Sequence, residues 1–443
     1  MAESERYSRL NDVLVESITI TSDFGGSANI SDMVQHISIY EDVVSPCLTG
    51  YVYISDGMNL MGHLPITGHE TINIKFKTPG IGSSIISLDF EVYSVTDRTK
   101  SKNDRNEMYK LNLISKGFRF NEIQRVSRAY NGKISTIVEK IINDYFPENT
   151  KYLIQETKGE HKFVIPNLKP IDAINWLAKM AVSEKQPHDT NYVFFQSLDH
   201  YNFISLGRVS KGAPMRKYSM RPSGIVDNKQ DLLDQMMNVQ DFELNRDFNR
   251  ADDLKNGVYT SRLWTHDITT KKIDKQVFNQ RTAFNESNHV EEFSVLPQLS
   301  KYTMSFNGPN FFSPKQKDAF NELYPENYNP EDWLLKRRSS MGLYGNKIVN
   351  IRISGDSRLR AGGVVEMTLP SNEPIESHDQ DWFDKYGSGR HLITSVRHTI
   401  AYASGGEYTC MLELSRDSLP TQLPDQKTFL GSDSNSEDTT ILQ

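Results

Sequence analysis

Over residues 348–418 apolar and polar positions change places with a period of two. Val349, Ile351 and Ile353 alternate with Asn350, Arg352 and Ser354, and the pair Gly355-Asp356 follows as a turn. After Arg360-Ala361-Gly362-Gly363, the residues Val365, Met367 and Leu369 alternate with Glu366 and Thr368. A loop rich in Pro, Asp and Gly leads to a strand over 391–400 and the turn Ser404-Gly405-Gly406. The last strand sets Tyr408, Cys410, Leu412 and Leu414 on one face. Successive side chains of a strand point to opposite faces, so the pattern predicts half-buried antiparallel strands. The same alternation predicts strands around 18–20, 37–39, 51–54, 72–76, 86–92 and 109–113, with a charged turn over 97–106. Short strands between polar turns point to a barrel or sandwich.

Between the two blocks the period changes. Ile134, Ile137, Val138, Ile141, Ile142 and Tyr145 recur at three- and four-residue steps, and Pro147 stops the run, which predicts a helix. A second helix opens at Pro170, where a missing N–H costs nothing in the first turn. Its buried face carries Ile171, Ile174, Leu177, Ala178 and Ala181. A hairpin follows, from Tyr192-Val193-Phe194-Phe195 through Asp199-His200 to Phe203-Ile204-Ser205-Leu206. Residues 117–212 therefore read as a small α+β domain, with Pro170, Ile174, Trp176, Leu177 and Phe194 in its core.

Leu232, Leu233, Met236 and Met237 form a short amphipathic piece. The strands expected at 239–244 and 258–264 are assigned with those after 348 to a second barrel, split in sequence. Residues 265–330 alternate poorly, and so long an irregular stretch is expected to be an insertion with partner contacts. A helix is expected over 330–341, with Asn329 as N-cap, Pro330 at its first position and Glu331 and Asp332 in its first turn. Lys336, Arg337 and Arg338 read as cations complementing its C-terminal end, with Gly342 beyond. After Pro420 the apolar pattern stops. Residues 431–438 are polar and acidic, which predicts a flexible tail, with Ile441 and Leu442 near its end.

The predicted fold class is mainly β with an α+β insert: two antiparallel β-barrel domains plus a small α+β domain. The divisions are a flexible N-terminus at 1–12, a first barrel at 13–116 and the α+β domain at 117–212. A second barrel takes 213–264 plus 343–418, an insertion takes 265–342, and a flexible acidic tail takes 419–443.

Composition narrows the function. The chain has 443 residues, enough for about three domains. No run approaches the roughly 18 apolar residues of a membrane span, and the polar start has no apolar signal core, so no membrane insertion is expected. The 20 Tyr and 21 Phe suit a β-rich protein. A formal net charge of -7 argues against a protein that neutralises phosphates. Cys47 and Cys410 lie far apart beside apolar strands and read as packed, reduced thiols.

No catalytic, cofactor-binding or metal-ligating set emerges, and no cofactor is expected. The chain has no Gly-x-Ser-x-Gly elbow, Walker loop or His-Glu-x-x-His. His63 and His69 have only Glu70 nearby, and Glu70 and His69 should face opposite ways on a strand. Trp264, His266 and Asp267 read as a strand end. Asp252-Asp253, Asp379 and Asp381 read as solvated loop carboxylates.

Three stretches in order resemble a known family. The first is Ile165-Pro166-Asn167 with the helix from Pro170 to Ala178, coupled to the aromatic strand beginning at Tyr192. The second runs from Ile351 through Gly355-Asp356 to Gly362. The third runs from Ser388-Gly389 to His398 and closes at Leu412-Glu413-Leu414-Ser415-Arg416-Asp417. The chain resembles the baseplate hub proteins of contractile-tailed bacteriophages, the T-even hub above all, and is similar to the hub part of the VgrG spike protein. The turns that match the hub pattern are Gly355, Asp356, Gly362 and Gly389.

The resemblance implies that both barrels are tail-tube-like and that three chains close into a pseudo-sixfold ring. Such a homotrimer would join the sixfold tail tube to the threefold central spike and line a channel that DNA passes without specific binding. The implied partners are further copies of the chain, the spike, and tube or tube-initiator proteins. Tape measure and baseplate wedge proteins come next. The chain leaves no room for a fused needle, so the spike is expected to be a separate protein. The implied location is the virion tail baseplate, after assembly in the host cytoplasm. The alternatives are the hub of a tailocin or type VI-like injector and, in another class, a tail-associated cell-wall hydrolase.

Overall fold

The computed structural model describes residues 9–23, 25–100, 106–220, 232–267, 270–296, 308–315, 329–371, 383–402 and 406–423. The expectations for the first eight residues, the turn at 404–405, Asp379, Asp381 and the tail beyond Leu423 lie outside them.

Alternation along the chain becomes one sheet of thirteen strands. In order across the sheet, the second group contributes Asp241–Arg246, Lys347–Ser354, Glu407–Arg416 and Gly389–Ala401. The first group follows with Val34–Asp42, Thr49–Asp56, Glu107–Ser115, Ile86–Lys100, Glu70–Lys77, Leu14–Ser22 and Ser27–Asn29. Val364–Thr368 branches from Gly389–Ala401 and carries Arg216–Ser219 in parallel on its far side.

The joint between the groups is local and physical. Gly389–Ala401 pairs with Glu407–Arg416 along nearly its whole length. On its other side, Gly389 to Leu392 face Val364–Thr368, while Ser395 to Ala401 face Val34–Asp42. The register slips between Ile393 and Ser395, and such a bulge bends and re-aims a strand. The Thr394 carbonyl accepts from the Val43 N–H at 2.9 Å, and its hydroxyl donates to the Glu413 carbonyl at 3.0 Å. One strand thereby leaves one neighbour and takes another.

The architecture is mainly antiparallel β with an α+β insert. The two strand groups share one sheet and one core, and among the described residues neither is closed into a barrel by hydrogen bonds. Residues from Ile18 to Leu113 and from Val349 to Leu414 belong to one apolar core. Phe76 of the first group meets Tyr408 of the second edge-on, with ring centroids 5.8 Å apart. Among the described residues the hydrogen-bonded path runs from Asp241–Arg246 to Ser27–Asn29, with no further strand paired at either end. Alternation identifies a strand and its buried face but not the strand it pairs with.

The α+β region packs Ile134–Tyr145 against Pro170–Met180. Hydrophobic residues at helical spacing face inward, and Tyr192–Gln196 and Tyr201–Ser205 cover them as a hairpin. Tyr152–Ile154 adds a parallel strand, and Val126–Gly132 pairs with His161–Leu168.

The insertion differs from expectation in two ways. Thr260–Asp267 pairs with Ile273–Asn279 and Asn310–Lys315 in a separate three-stranded sheet, so the strand expected at 258–264 lies outside the main sheet. Its partners alternate too weakly in apolarity to be legible. The helix spans Leu334–Tyr344, four residues later than expected, and Pro330 to Trp333 form a turn before it. Lys336, Arg337 and Arg338 consequently lie near its start, and the dipole reading of these cations is corrected. Arg337 instead points its Nη1 at three carbonyls of the α+β region: Tyr192 at 2.9 Å, Thr190 at 3.0 Å and Ala178 at 3.3 Å. Burial draws its pKa down to about 10.

Candidate functional site at the junction of the strand groups

The loop after Lys347–Ser354 connects three parts of the molecule. A Cβ on Gly355 would stand 2.1 Å from Cγ of Tyr408, so only glycine admits that ring. Asp356, fully buried, accepts from Arg216 Nε at 2.9 Å and from Arg358 Nε and Nη2 at 2.9 Å each. Burial raises its carboxyl pKa, and the Arg216 guanidinium offsets part of that. Ser357 and Thr78 exchange hydrogen bonds, backbone to hydroxyl, at 3.0 and 3.1 Å, which fastens the first strand group to this loop. Arg360 reaches the α+β region, donating to Asp199 Oδ2 at 2.6 Å and Oδ1 at 3.1 Å. Gly362, at φ +81°, leaves room for Phe195, whose Cζ would lie 2.8 Å from a Cβ. Backbone at that φ favours glycine on its own account.

Behind the loop, Glu41 from the first group and His398, Tyr408 and Cys410 from the second form a buried polar cluster. His398 Nε2 lies 3.2 Å from Glu41 Oε1, and its Nδ1 lies 2.7 Å from the Tyr408 hydroxyl and 3.4 Å from Cys410 Sγ. Burial opposes charge on the ring, but Cys410 and Glu41 outweigh it and push the pKa up to about 9. Glu41 also accepts from the Ala361 N–H at 3.2 Å, which ties the cluster to the loop. Both cysteines are free and buried, and burial pushes the Cys47 thiol up to about 11.

The third matched stretch binds the insertion. Gly389 sits at φ +115°, and a Cβ there would come within 2.5 Å of Glu291 Oε1. Arg416 donates from Nη1 to the Ser388 carbonyl at 2.8 Å and from Nη2 to the Tyr386 carbonyl, which fixes the approach to that strand. Asp417 accepts from His289 Nδ1 at 2.7 Å and from the Val290 N–H at 3.0 Å.

Ser287 Oγ lies 3.2 Å from His289 Nε2, so Ser287, His289 and Asp417 line up like a nucleophile, base and orienter. The geometry does not serve that chemistry. His289 Nε2 also faces the Phe284 carbonyl at 2.9 Å, an acceptor, while Nδ1 faces a carboxylate. Both nitrogens must donate, so the ring carries two protons and has no lone pair for a general base. Burial works against that charge, but Asp417 reverses the balance and raises the pKa.

The remaining expected residues lie apart from this junction. Pro170 occupies the first turn of its helix, and Ile174, Leu177 and Phe194 are buried in one core with Trp176 packed against it. Phe194 stacks on Tyr201 at 5.6 Å, and Trp176 meets Phe163 at 5.5 Å. Glu70 accepts from the backbone of Thr67 and Gly68 at 2.9 Å each. Trp264 Nε1 donates to Asn310 Oδ1 at 3.3 Å. Among the described residues no three His, Cys, Asp or Glu gather as metal ligands, and no helix is long and apolar enough to cross a membrane. Glu41 was missed, yet it left a signal: it shares the face of Ile37 and Ile39, so a carboxylate stands where alternation calls for an apolar residue.

No family model matches the sequence, and no curated protein matches it. Solved structures do. A tail protein from Neisseria meningitidis MC58 aligns over 92% of this chain and 99% of its own, at 10% identity and a TM-score of 0.53. The 43 kDa tail protein of prophage MuSo2 from Shewanella oneidensis aligns over 90% and 98%, at 8% identity and a TM-score of 0.54. A weaker likeness, at 9% identity and a TM-score of 0.41, is to a type VI secretion component of E. coli, over 94% of this chain and 79% of that one. The first two alignments run nearly end to end in both partners, and the chain has the fold of these tail proteins.

Proposed function

We propose that this chain is a non-enzymatic hub of a contractile-tail baseplate, located in the virion tail. The observation that carries the reading is the end-to-end likeness to two tail proteins. In this reading three copies close into a ring, and two strand groups per chain supply six wall elements. One side then suits the sixfold tail tube and the other a separate threefold spike. Closed rings bury matching patches on successive copies. Several features support the reading. The strand groups share one core and one sheet, so each chain offers two wall elements in fixed relation. Charged groups at and beside the junction form ties between the strand groups, to the α+β region and to the insertion. The net charge of -7 suits a lumen that DNA traverses without sticking.

Light scattering on the purified chain, alone and mixed with a candidate spike, tests the reading. The expected mass is near 152 kDa, three times the 50.7 kDa chain, or that mass plus three spikes. A monomer under both conditions would overturn it.

A further inference from the structure

The insertion presents a sheet face with large apolar side chains exposed in the single chain. In Thr260–Asp267, Ile273–Asn279 and Asn310–Lys315 the register sets Lys275, Trp264 and Phe312 side by side on the outward side. Phe312 is 78% exposed, Ile273 66% and Val277 43%. The Lys275 ammonium lies over the Trp264 ring, 5.3 Å from its centroid. The outward positions of the three strands include Lys275 and Arg262 but no carboxylate, because Asp267 and Asp274 lie on the opposite side, Asp274 bound to Lys315 there. Contiguous exposed apolar side chains beside cations mark a docking surface.

The sequence beyond Leu423 has the complementary chemistry. Phe429-Leu430 and Ile441-Leu442 are apolar pairs, and between them stand Asp433, Glu437 and Asp438. Its point of departure is close. Gln422 and Leu423 line a cleft of about 340 Å³ with Gln280, Arg281 and Phe284. The helix Gln280–Ala283 directly follows the outer strand of this sheet. Twenty residues extend roughly 66–72 Å at full stretch, against ~23 Å for a seven-residue strand, so reach does not limit contact. We propose that the segment from Phe429 to Leu442 docks across this face of its own chain. Its apolar pairs lie on the aromatic and aliphatic side chains, and its carboxylates lie toward Lys275 and Arg262.

Photo-crosslinking on the full chain tests this. Benzoylphenylalanine replaces the exposed Phe312, isotopically light and heavy chains are mixed, and adducts are mapped by mass spectrometry after irradiation. The expected adducts fall on residues 429–442 and join light to light and heavy to heavy. Ile441→Asp with Leu442→Asp is expected to reduce them about tenfold or more, since two aliphatic side chains leave the contact. Light–heavy products, adducts on another segment or on a second sheet, or adduct yields unchanged by the double substitution would each overturn the proposal. So would the absence of adducts.

Discussion

Gly355→Ala tests the packing at the junction. The new methyl would stand 2.1 Å from both Cγ and Cδ1 of Tyr408, more than 1 Å inside the ~3.5 Å at which carbon atoms rest. Those atoms form the root of the ring, so a ring flip cannot clear the clash. Nor can the ring retreat, because Phe76 meets it edge-on and His398 Nδ1 lies 2.7 Å from its hydroxyl. Overpacking costs about 1–3 kcal/mol, and with no route of relief the substitution should cost about 3. Tyr408→Ala alone should cost about 3–5 kcal/mol through the cavity it opens. The methyl introduced by Gly355→Ala can occupy part of that cavity, so the double variant should lose about 2 kcal/mol less than the sum of the two singles. Urea unfolding followed by circular dichroism, with slopes compared across the set, measures all three. A Gly355→Ala loss below about 0.5 kcal/mol, or strict additivity, would refute the packing argument.

The buried cluster at the junction gives a pH dependence. His398 has a pKa raised from 6.5 to about 9, so its stabilising contribution is complete below pH 6.5 and is lost as pH rises through about 9. That loss should amount to about 3 kcal/mol in unfolding experiments. Glu41→Gln combined with Cys410→Ser should flatten it, and a wild-type profile level over this window would contradict the assignment. Asp417→Asn removes the carboxylate that holds His289 and the Val290 N–H. Amide exchange around Val290 should then quicken roughly 10- to 100-fold, the loss of a charged hydrogen bond worth about 1.5–3 kcal/mol, while exchange in the main sheet stays as it was. Unchanged exchange at Val290 would show that the insertion is held by other contacts.

Much of the fold was legible because its core faces obey simple periods. The strands at Ile37 and Ile39, at Ile72 to Phe76 and at Val349 to Ile353 lie where alternation put them, and so do the helices through Ile137 and Ile174. What alternation could not supply was pairing. The bulge at Thr394, which merges the two strand groups, depends on a switch of neighbours that no local period encodes. The strand through Leu263 was legible as a strand, but its partners Ile273–Asn279 and Asn310–Lys315 were not, since polar residues occupy both of their faces. The turns at Gly355 and Gly362 announced themselves as glycines. Their reason, close approach by Tyr408 and Phe195, lies in residues distant along the chain. Arg337 misled because a basic residue in a helix suits either its dipole or a distant set of carbonyls, and three carbonyls of the α+β region claimed it.

In the proposed assembly each chain supplies two wall elements to a ring of three. End-on electron micrographs of the purified particle, averaged by class without imposed symmetry, address it most directly. The expected averages show three chains with six lobes around an open channel. A ring of five or six chains, or isolated single chains with no channel, would contradict it.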